Sequence, residues 1–250
     1  QIIQKTDISK NDVPSLRYCM CAGEHLSDEL YASWKVRFKL TIYEAIGMSE
    51  CSYYLSQHPT RSVKPGSAGF PQPGHFIFLL NEHLEPVADN EEGMLCIGLD
   101  DPGLFLGYWN LEETTKASRK GNYFLTGDYA YRDSDGYIWF LGRKDDLINS
   151  FGYRISPHEI ERVIKTHPDI ADCVALEECI EKDKNIVIAC IILHQDSVFN
   201  EQALMDYAHE HLAKYKTPKK FYVMASFPRT ANGKVLRKEL RNTLLNKSKQ

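Results

Sequence analysis

No apolar run in this 250-residue chain approaches the roughly 20 residues that a membrane-spanning helix needs. A membrane span is therefore not expected, and nothing at the amino end has the charged and apolar order of a secretory signal. Excess positive charge is missing too. With 30 Lys and Arg against 34 Asp and Glu, the formal net charge is -4, which argues against a nucleic-acid-binding surface. The seven cysteines are odd in number and contain no C-x-x-C pair, so a disulfide framework is not indicated. A reducing compartment, the cytoplasm, is the expectation. The nine histidines form no H-E-x-x-H, and His209 and His211 read as surface residues of a helix. Internal repeats and low-complexity stretches are absent as well.

Three textures are present instead. Leu16 to Cys21 reads as a buried strand that leaves into a loop at Ala22-Gly23-Glu24. Cys19 and Cys21, two apart, share one face of it. Ser27 fits an N-cap, a helix follows over Asp28 to Lys39, and a strand over Thr41 to Ile46. That alternation is α/β in character. From Arg61 to Gly136, Gly and Pro recur between short strand-like runs such as His75 to Leu80 and Met94 to Gly98, which marks a β-rich subdomain. After Arg143 the pattern becomes α+β. A proline sits just inside a helix start at Ser156-Pro157, with the helix expected to about Thr166. Strands are expected at Asp172 to Glu177, Ile186 to Leu193 and Lys220 to Met224, with a helix from Glu201 to Leu212 between the last two. The basic tail from Arg237 to Lys249 reads as a solvated helix end. The domain boundary falls at Arg143 to Asp146, giving residues 1–143 and 144–250, with the β-rich part over 61–142.

Several polar clusters carry chemistry. Thr126-Gly127-Asp128 sets a carboxylate after a glycine turn, and its two acceptor oxygens suit vicinal hydroxyls such as those of ribose. Gly142-Arg143-Lys144-Asp145-Asp146 is a charge run between two textures, where a joint can change φ and ψ without burying an apolar side chain. Gly152-Tyr153-Arg154 precedes a helix, with glycine where a Cβ obstructs close approach. Lys234, in P-R-T-A-N-G-K, offers an ammonium to charge developing on a carboxylate and a phosphate. It is not a phosphate-loop lysine, because that pattern wants glycine where Pro228 stands. Ile46-Gly47-Met48-Ser49-Glu50 supplies a hydroxyl and a carboxylate, hard oxygens of the kind Mg²⁺ prefers.

The order of these motifs resembles the adenylate-forming superfamily, which includes acyl- and aryl-CoA synthetases, luciferase and peptide-synthetase adenylation domains. The resemblance implies activation of a small carboxylic acid by ATP with Mg²⁺, followed by transfer from the acyl-adenylate to coenzyme A with release of AMP. It implies that Gly23 and Glu24 line the adenine site, Ser49 contacts phosphate and Glu50 helps hold Mg²⁺. Asp128 and Arg143 bind ribose, and Arg154 approaches the nucleotide phosphate. Asp145 is the implied hinge of a small mobile lid domain, Gly152 lines the CoA tunnel, and Lys234 catalyses adenylation. Ile46 stands where many CoA ligases place an aromatic against adenine. Ala22-Gly23-Glu24 together with I-G-M-S-E leans towards the benzoate-type and related acyl-CoA ligases.

Only the second half of the superfamily pattern is matched. The Ser/Thr/Gly-rich phosphate loop ending in Lys-Gly has no counterpart here, and Pro65-Gly66-Ser67-Ala68-Gly69 reads as a turn between strands. The chain starts at Gln1 without a methionine and reads like the continuation of a longer enzyme, whose amino-terminal part is the expected partner. Two other readings stand beside this one. One is an adenylation domain of the peptide-synthetase or luciferase-like branch. The other is a non-catalytic nucleotide- or acyl-CoA-binding chain or one subunit of a split enzyme.

Overall fold

The computed structural model describes residues 6–23, 26, 28–181, 184–230 and 233–247. The chain divides into two compact units, Gln1–Phe140 and Leu141–Gln250.

In the first unit, β1 (Cys19–Ala22), α1 (Asp28–Phe38) and β2 (Ile42–Met48) form a βαβ crossover. The two strands run parallel, with Cys19 opposite Ile42 and Ala22 opposite Ala45. A parallel pair needs a connection of this length, and α1 provides it. Trp34 and Phe38, one helical turn apart, stack at 4.0 Å and pack with Leu26 and Ile42. Cys19 and Cys21 join that cluster from one face of β1. The alternate residues Tyr18 and Met20 are exposed, so β1 is covered on one face only and is not the buried strand expected. Ser27, the expected N-cap, lies outside the described residues.

β3 (Cys51–Ser56) turns back antiparallel to β2, and β4 (Phe70–Pro71) completes a four-stranded sheet in the order β1-β2-β3-β4. A second sheet holds β5 (Ile77–Leu80), β6 (Gly93–Gly98), β7 (Arg119–Lys120) and β8 (Tyr123–Arg132) in the order β5-β6-β8-β7. β9 (Ile138–Arg143) pairs with β8, and a short α2 (Glu112–Ala117) precedes β7. The sheets share a core in which Cys51, Tyr54 and Leu55 meet Leu95, Ile97, Phe124 and Ile138. The Pro65–Gly69 segment links β3 to β4, as a turn between strands should.

The turn between β8 and β9 is organised by Asp133. Its carboxylate takes the Lys64 ammonium at 2.7 Å, the Trp139 indole N–H at 3.0 Å and the Tyr137 N–H at 2.8 Å. Burial alone raises the pKa of this carboxyl, but those three donors outweigh it and bring the value down to about 2. The charged form is thus favoured by folding. Its stabilisation is complete above the ordinary value of 3.8 and is lost as pH falls through about 2. Asp133→Asn is expected to melt lower than the wild type at pH 7, with the gap closing between about pH 4 and pH 2. Melting curves across that range check it; a gap that does not depend on pH would refute the assignment.

The second unit is an α+β sandwich. β12 (Ile170–Glu181), β13 (Lys184–Leu193) and β14 (Lys220–Val223) form one sheet, and β10 (Ile148–Ser150) with β11 (Tyr153–Ile155) forms a separate hairpin. α3 (Pro157–Ile164) and α4 (Glu201–His211) cover one face, where Cys173, Ala175, Val187, Ala189 and Ile191 meet Ile160, Ile164, Leu204 and Ala208. Strand alternation sends Val174, Leu176, Ile186, Ile188 and Cys190 to the other face, against α5 (Arg237–Lys247). Covered on both sides, β13 is a nearly continuous apolar run. β12 reaches four residues beyond the expected Glu177, and α3 ends at Ile164 rather than Thr166. The carboxy-terminal helix is not the solvated end expected. Leu240 and Leu244 are buried against the sheet, so α5 is amphipathic and part of the core.

Candidate functional site

Two of the predicted elements lie at the same end of the first sheet. Gly23 directly follows β1 with φ +91°, and Ser49 and Glu50 form the turn that follows β2. β1 and β2 are parallel neighbours, so both segments leave from their carboxyl ends, where open α/β sheets bind ligands. Glu24 lies outside the described residues. Ser49 is exposed and Glu50 half-buried. The Tyr108 hydroxyl donates to Glu50 Oε1 at 2.7 Å, and the Phe105 N–H donates to the Glu50 carbonyl at 2.7 Å. Thr115 Oγ1 in turn accepts the Tyr108 N–H at 2.9 Å. The loop carrying Tyr108 therefore fixes the carboxylate. Ile46 is half-buried and packs on the inter-sheet core.

Glu44, two residues before the motif, is a second anchor that sequence patterns did not single out. Its carboxylate accepts the Gly66 N–H at 3.0 Å and the Leu26 N–H at 3.4 Å, tying the loop after β1 to the turn before β4.

Asp128 sits in a bulge and not after a glycine turn. Opposite β6, Met94 pairs with Tyr129 and Cys96 with Leu125, so Thr126, Gly127 and Asp128 together face Leu95. Gly127 takes φ +78°, which lets the strand swell and continue. Thr126 holds the shape. Its hydroxyl donates to the Leu95 carbonyl at 2.7 Å and accepts the Asp128 N–H at 3.0 Å. Only 5% of Asp128 is exposed, so its side chain is buried rather than floating on the surface.

The remaining candidates belong to the second unit. Arg143 to Asp146 is a turn in which the Asp146 and Leu147 N–H groups donate to the Arg143 carbonyl at 2.9 and 3.0 Å, and Asp145 is exposed on it. The segment is a hairpin rather than an open loop: Gly152 lies in the turn between β10 and β11, and Arg154 lies on β11. Phe151 and Gly152 take φ +48° and +83°, the two left-handed residues of a two-residue hairpin turn. A Cβ on Gly152 meets open space, so the turn itself already requires glycine there. Arg154 lies beside the tip, exposed, opposite Asn149.

Lys234 is presented by a closed loop. The Thr230 N–H donates to the Lys234 carbonyl at 2.8 Å, the Lys234 N–H to Thr230 Oγ1 at 3.1 Å, and the Leu236 N–H to the Pro228 carbonyl at 2.9 Å. Arg229 donates to the Gly233 carbonyl at 2.6 Å and pairs with Asp172. On the far side Arg237 reaches Glu161 at 2.7 Å and the Ala175 carbonyl at 2.9 Å. Two arginines thus lash the loop to β12.

The hairpin and the lysine loop occupy opposite ends of the same sheet. Ser150 Oγ donates to the carbonyl of Asn185, which pairs with Cys179, whereas the lysine loop is tied to Asp172. Seven strand residues at ~3.3 Å each place the two anchor points roughly 20 Å apart.

Both units carry matches to known protein families. Residues 1–109 match the family described as AMP-binding enzyme, and residues 159–234 match the AMP-binding enzyme C-terminal domain. The chain belongs to the adenylate-forming, AMP-binding enzyme family, in its acyl-CoA synthetase branch. Acyl-coenzyme A synthetase ACSM3, mitochondrial, of Rattus norvegicus is 34% identical over 96% of this chain and 43% of its own length. Among solved structures, an anthranilate CoA ligase in complex with anthranoyl-AMP superposes with TM-score 0.83 at 30% identity, over 96% of this chain and 47% of that one. O-succinylbenzoate coenzyme A synthetase of Bacillus subtilis, in complex with ATP and magnesium ion, also gives TM-score 0.83 at 30% identity, over 96% and 49%. The chain spans about half the length of the relatives it matches.

Proposed function

We propose that this chain is the carboxy-terminal part of an ATP-dependent acyl- or aryl-CoA ligase, completed by an amino-terminal part that carries the phosphate loop. In this proposal residues 1–143 close the large AMP-binding domain and residues 144–250 form the mobile lid. The placement of the Gly152 hairpin and the Lys234 loop at opposite ends of one sheet is the observation that carries it. A rigid unit whose two functional loops are anchored at points roughly 20 Å apart along one strand can present only one of them to a given site at a time. Two successive half-reactions then require the lid to turn, and the exposed Asp145 turn is where it turns.

Gly23 and Glu24 line the adenine, and Asp128 and Arg143 hold the ribose hydroxyls. Ser49 and Arg154 meet the phosphates. Lys234 then neutralises charge as the carboxylate attacks the α-phosphate and pyrophosphate leaves. With the lid turned, the CoA thiol attacks the acyl carbon past Gly152, and AMP leaves. The hard oxygen of Glu50, steadied by Tyr108, fits Mg²⁺, which when bound screens the phosphate charge. Among the described residues no helix is long and apolar enough to cross a membrane. Seven free thiols support a reducing compartment, and the cytoplasm is proposed, although several relatives are named mitochondrial.

Asp145→Pro in the complete enzyme tests the turn. Proline at this position of the turn fixes φ and disfavours the helical conformation of Lys144. One half-reaction, pyrophosphate exchange or thioester formation from supplied acyl-adenylate, is expected to fall at least tenfold more than the other. Equal rates in both would put the hinge elsewhere.

A further inference from the structure

We infer that Cys51, His75 and Asp101 form a site for a borderline divalent cation, with zinc the fitting ion. This is the one group of three such residues among those described whose ligand atoms all lie within 4.8 Å of one another. His75 Nδ1 stands 3.7 Å from Cys51 Sγ and 3.1 and 3.2 Å from the two oxygens of Asp101. Donors about 2.0–2.3 Å from a tetrahedral zinc stand roughly 3.3–3.7 Å apart, close to the separations of Cys51 and Asp101 from His75 Nδ1.

The geometry distinguishes this group from a nucleophilic relay. In a relay the two ring nitrogens serve different partners, whereas here thiol and carboxylate converge on the same Nδ1. Convergence on one point is what a metal requires. The ligands are also held in place beforehand. Asp101 accepts the Phe76 N–H at 2.7 Å and the Gly103 N–H at 2.8 Å, an outer shell that orients its carboxylate. The side chain of Asp101 is fully buried and that of His75 16% exposed, so the imidazole side is the way in and the place for a fourth, water ligand. Thiolate, imidazole and carboxylate together suit zinc or cobalt better than Mg²⁺ or Ca²⁺. On binding, the thiol proton passes to solvent and sulfur bonds the metal; no redox change occurs.

The site ties three segments together: the first residue of β3, the approach to β5 and the turn after β6. Cys51 follows Glu50 directly, so an ion here stiffens the turn that bears Ser49 and Glu50. The inference does not depend on the ligase proposal.

Metal-stripped protein titrated with Co²⁺ provides the test. Expected are a near-ultraviolet sulfur-to-cobalt band and visible d–d bands that saturate at one cobalt per chain, bleach on addition of Zn²⁺, and vanish in Cys51→Ser and His75→Asn. Circular dichroism checks that those variants fold. The triple variant Cys19→Ser, Cys21→Ser, Cys179→Ser, which removes the accessible thiols, is expected to keep the bands. No band in the wild type, a band that survives Cys51→Ser, or a band lost in the triple variant would overturn the site.

Discussion

Replacing Lys234 with alanine is expected to slow adenylation in the complete enzyme by about two to three orders of magnitude, the cost of one preorganised donor to developing charge. Thioester formation from supplied acyl-adenylate should stay within about threefold of wild type. The asymmetry follows from how the loop is built. Its shape rests on backbone bonds among Pro228, Thr230, Gly233, Lys234 and Leu236 and on the Arg229 clamp to Asp172, none of which uses the lysine side chain. Lys234 itself is exposed. Alanine therefore removes a charge without unmaking the loop or the Gly152 hairpin at the far end of the sheet. Pyrophosphate exchange and a single-turnover thioester assay separate the two steps. Equal losses in both would reject a role confined to adenylation.

The largest stability effect is expected at Glu161, on α3. Its Oε1 accepts the Ala175 N–H at 2.8 Å and the Arg237 guanidinium at 2.7 Å, and His158 Nδ1 lies 3.4 Å from Oε2. Burial pushes the carboxyl pKa up, but the His158 hydrogen bond, the Arg237 charge and the Ala175 N–H together bring it below the ordinary value. Alanine leaves the guanidinium, only 13% exposed, facing an orphaned N–H. Breaking a buried pair from one side costs about 3–5 kcal/mol. Glutamine keeps an acceptor for Ala175 and should cost less. Because folding depresses this pKa, the stabilisation is complete above the ordinary carboxylate range and is lost as pH falls through the folded value. Urea unfolding followed by circular dichroism measures it; an alanine variant within about 1 kcal/mol of wild type would remove Glu161 from this role.

The sequence was legible where structure is periodic or punctuated. The β1–α1–β2 crossover, the Gly- and Pro-marked strands and the proline at the start of α3 all follow from local pattern. Tertiary partners left less trace. T-G-D reads as a turn because glycine marks both turns and bulges, and only the pairing of β8 with β6 distinguishes them. Arg237 to Lys247 looks solvated because its charges outnumber Leu240 and Leu244, yet those two leucines decide where it packs. Glu44, Tyr108 and Glu161 were unreadable for a related reason: isolated polar residues have no period, and their worth lies in the N–H or hydroxyl groups the fold brings to them. The family resemblance supplied what pattern could not, the roles expected of the chemistry-bearing motifs.

The double covering of β13 bears on how the second unit is made. Val174, Leu176, Ile186, Ile188 and Cys190 are covered on the α5 side by Phe227 and then by Leu240 and Leu244, so the cover is incomplete until the chain has been synthesised through Leu244. A ribosome that pauses before that point holds a nascent sheet with one oily face partly open to neighbours. Packing of α5 therefore completes the cover of that face. Shortening α5 should show first as inclusion bodies, before any effect on turnover.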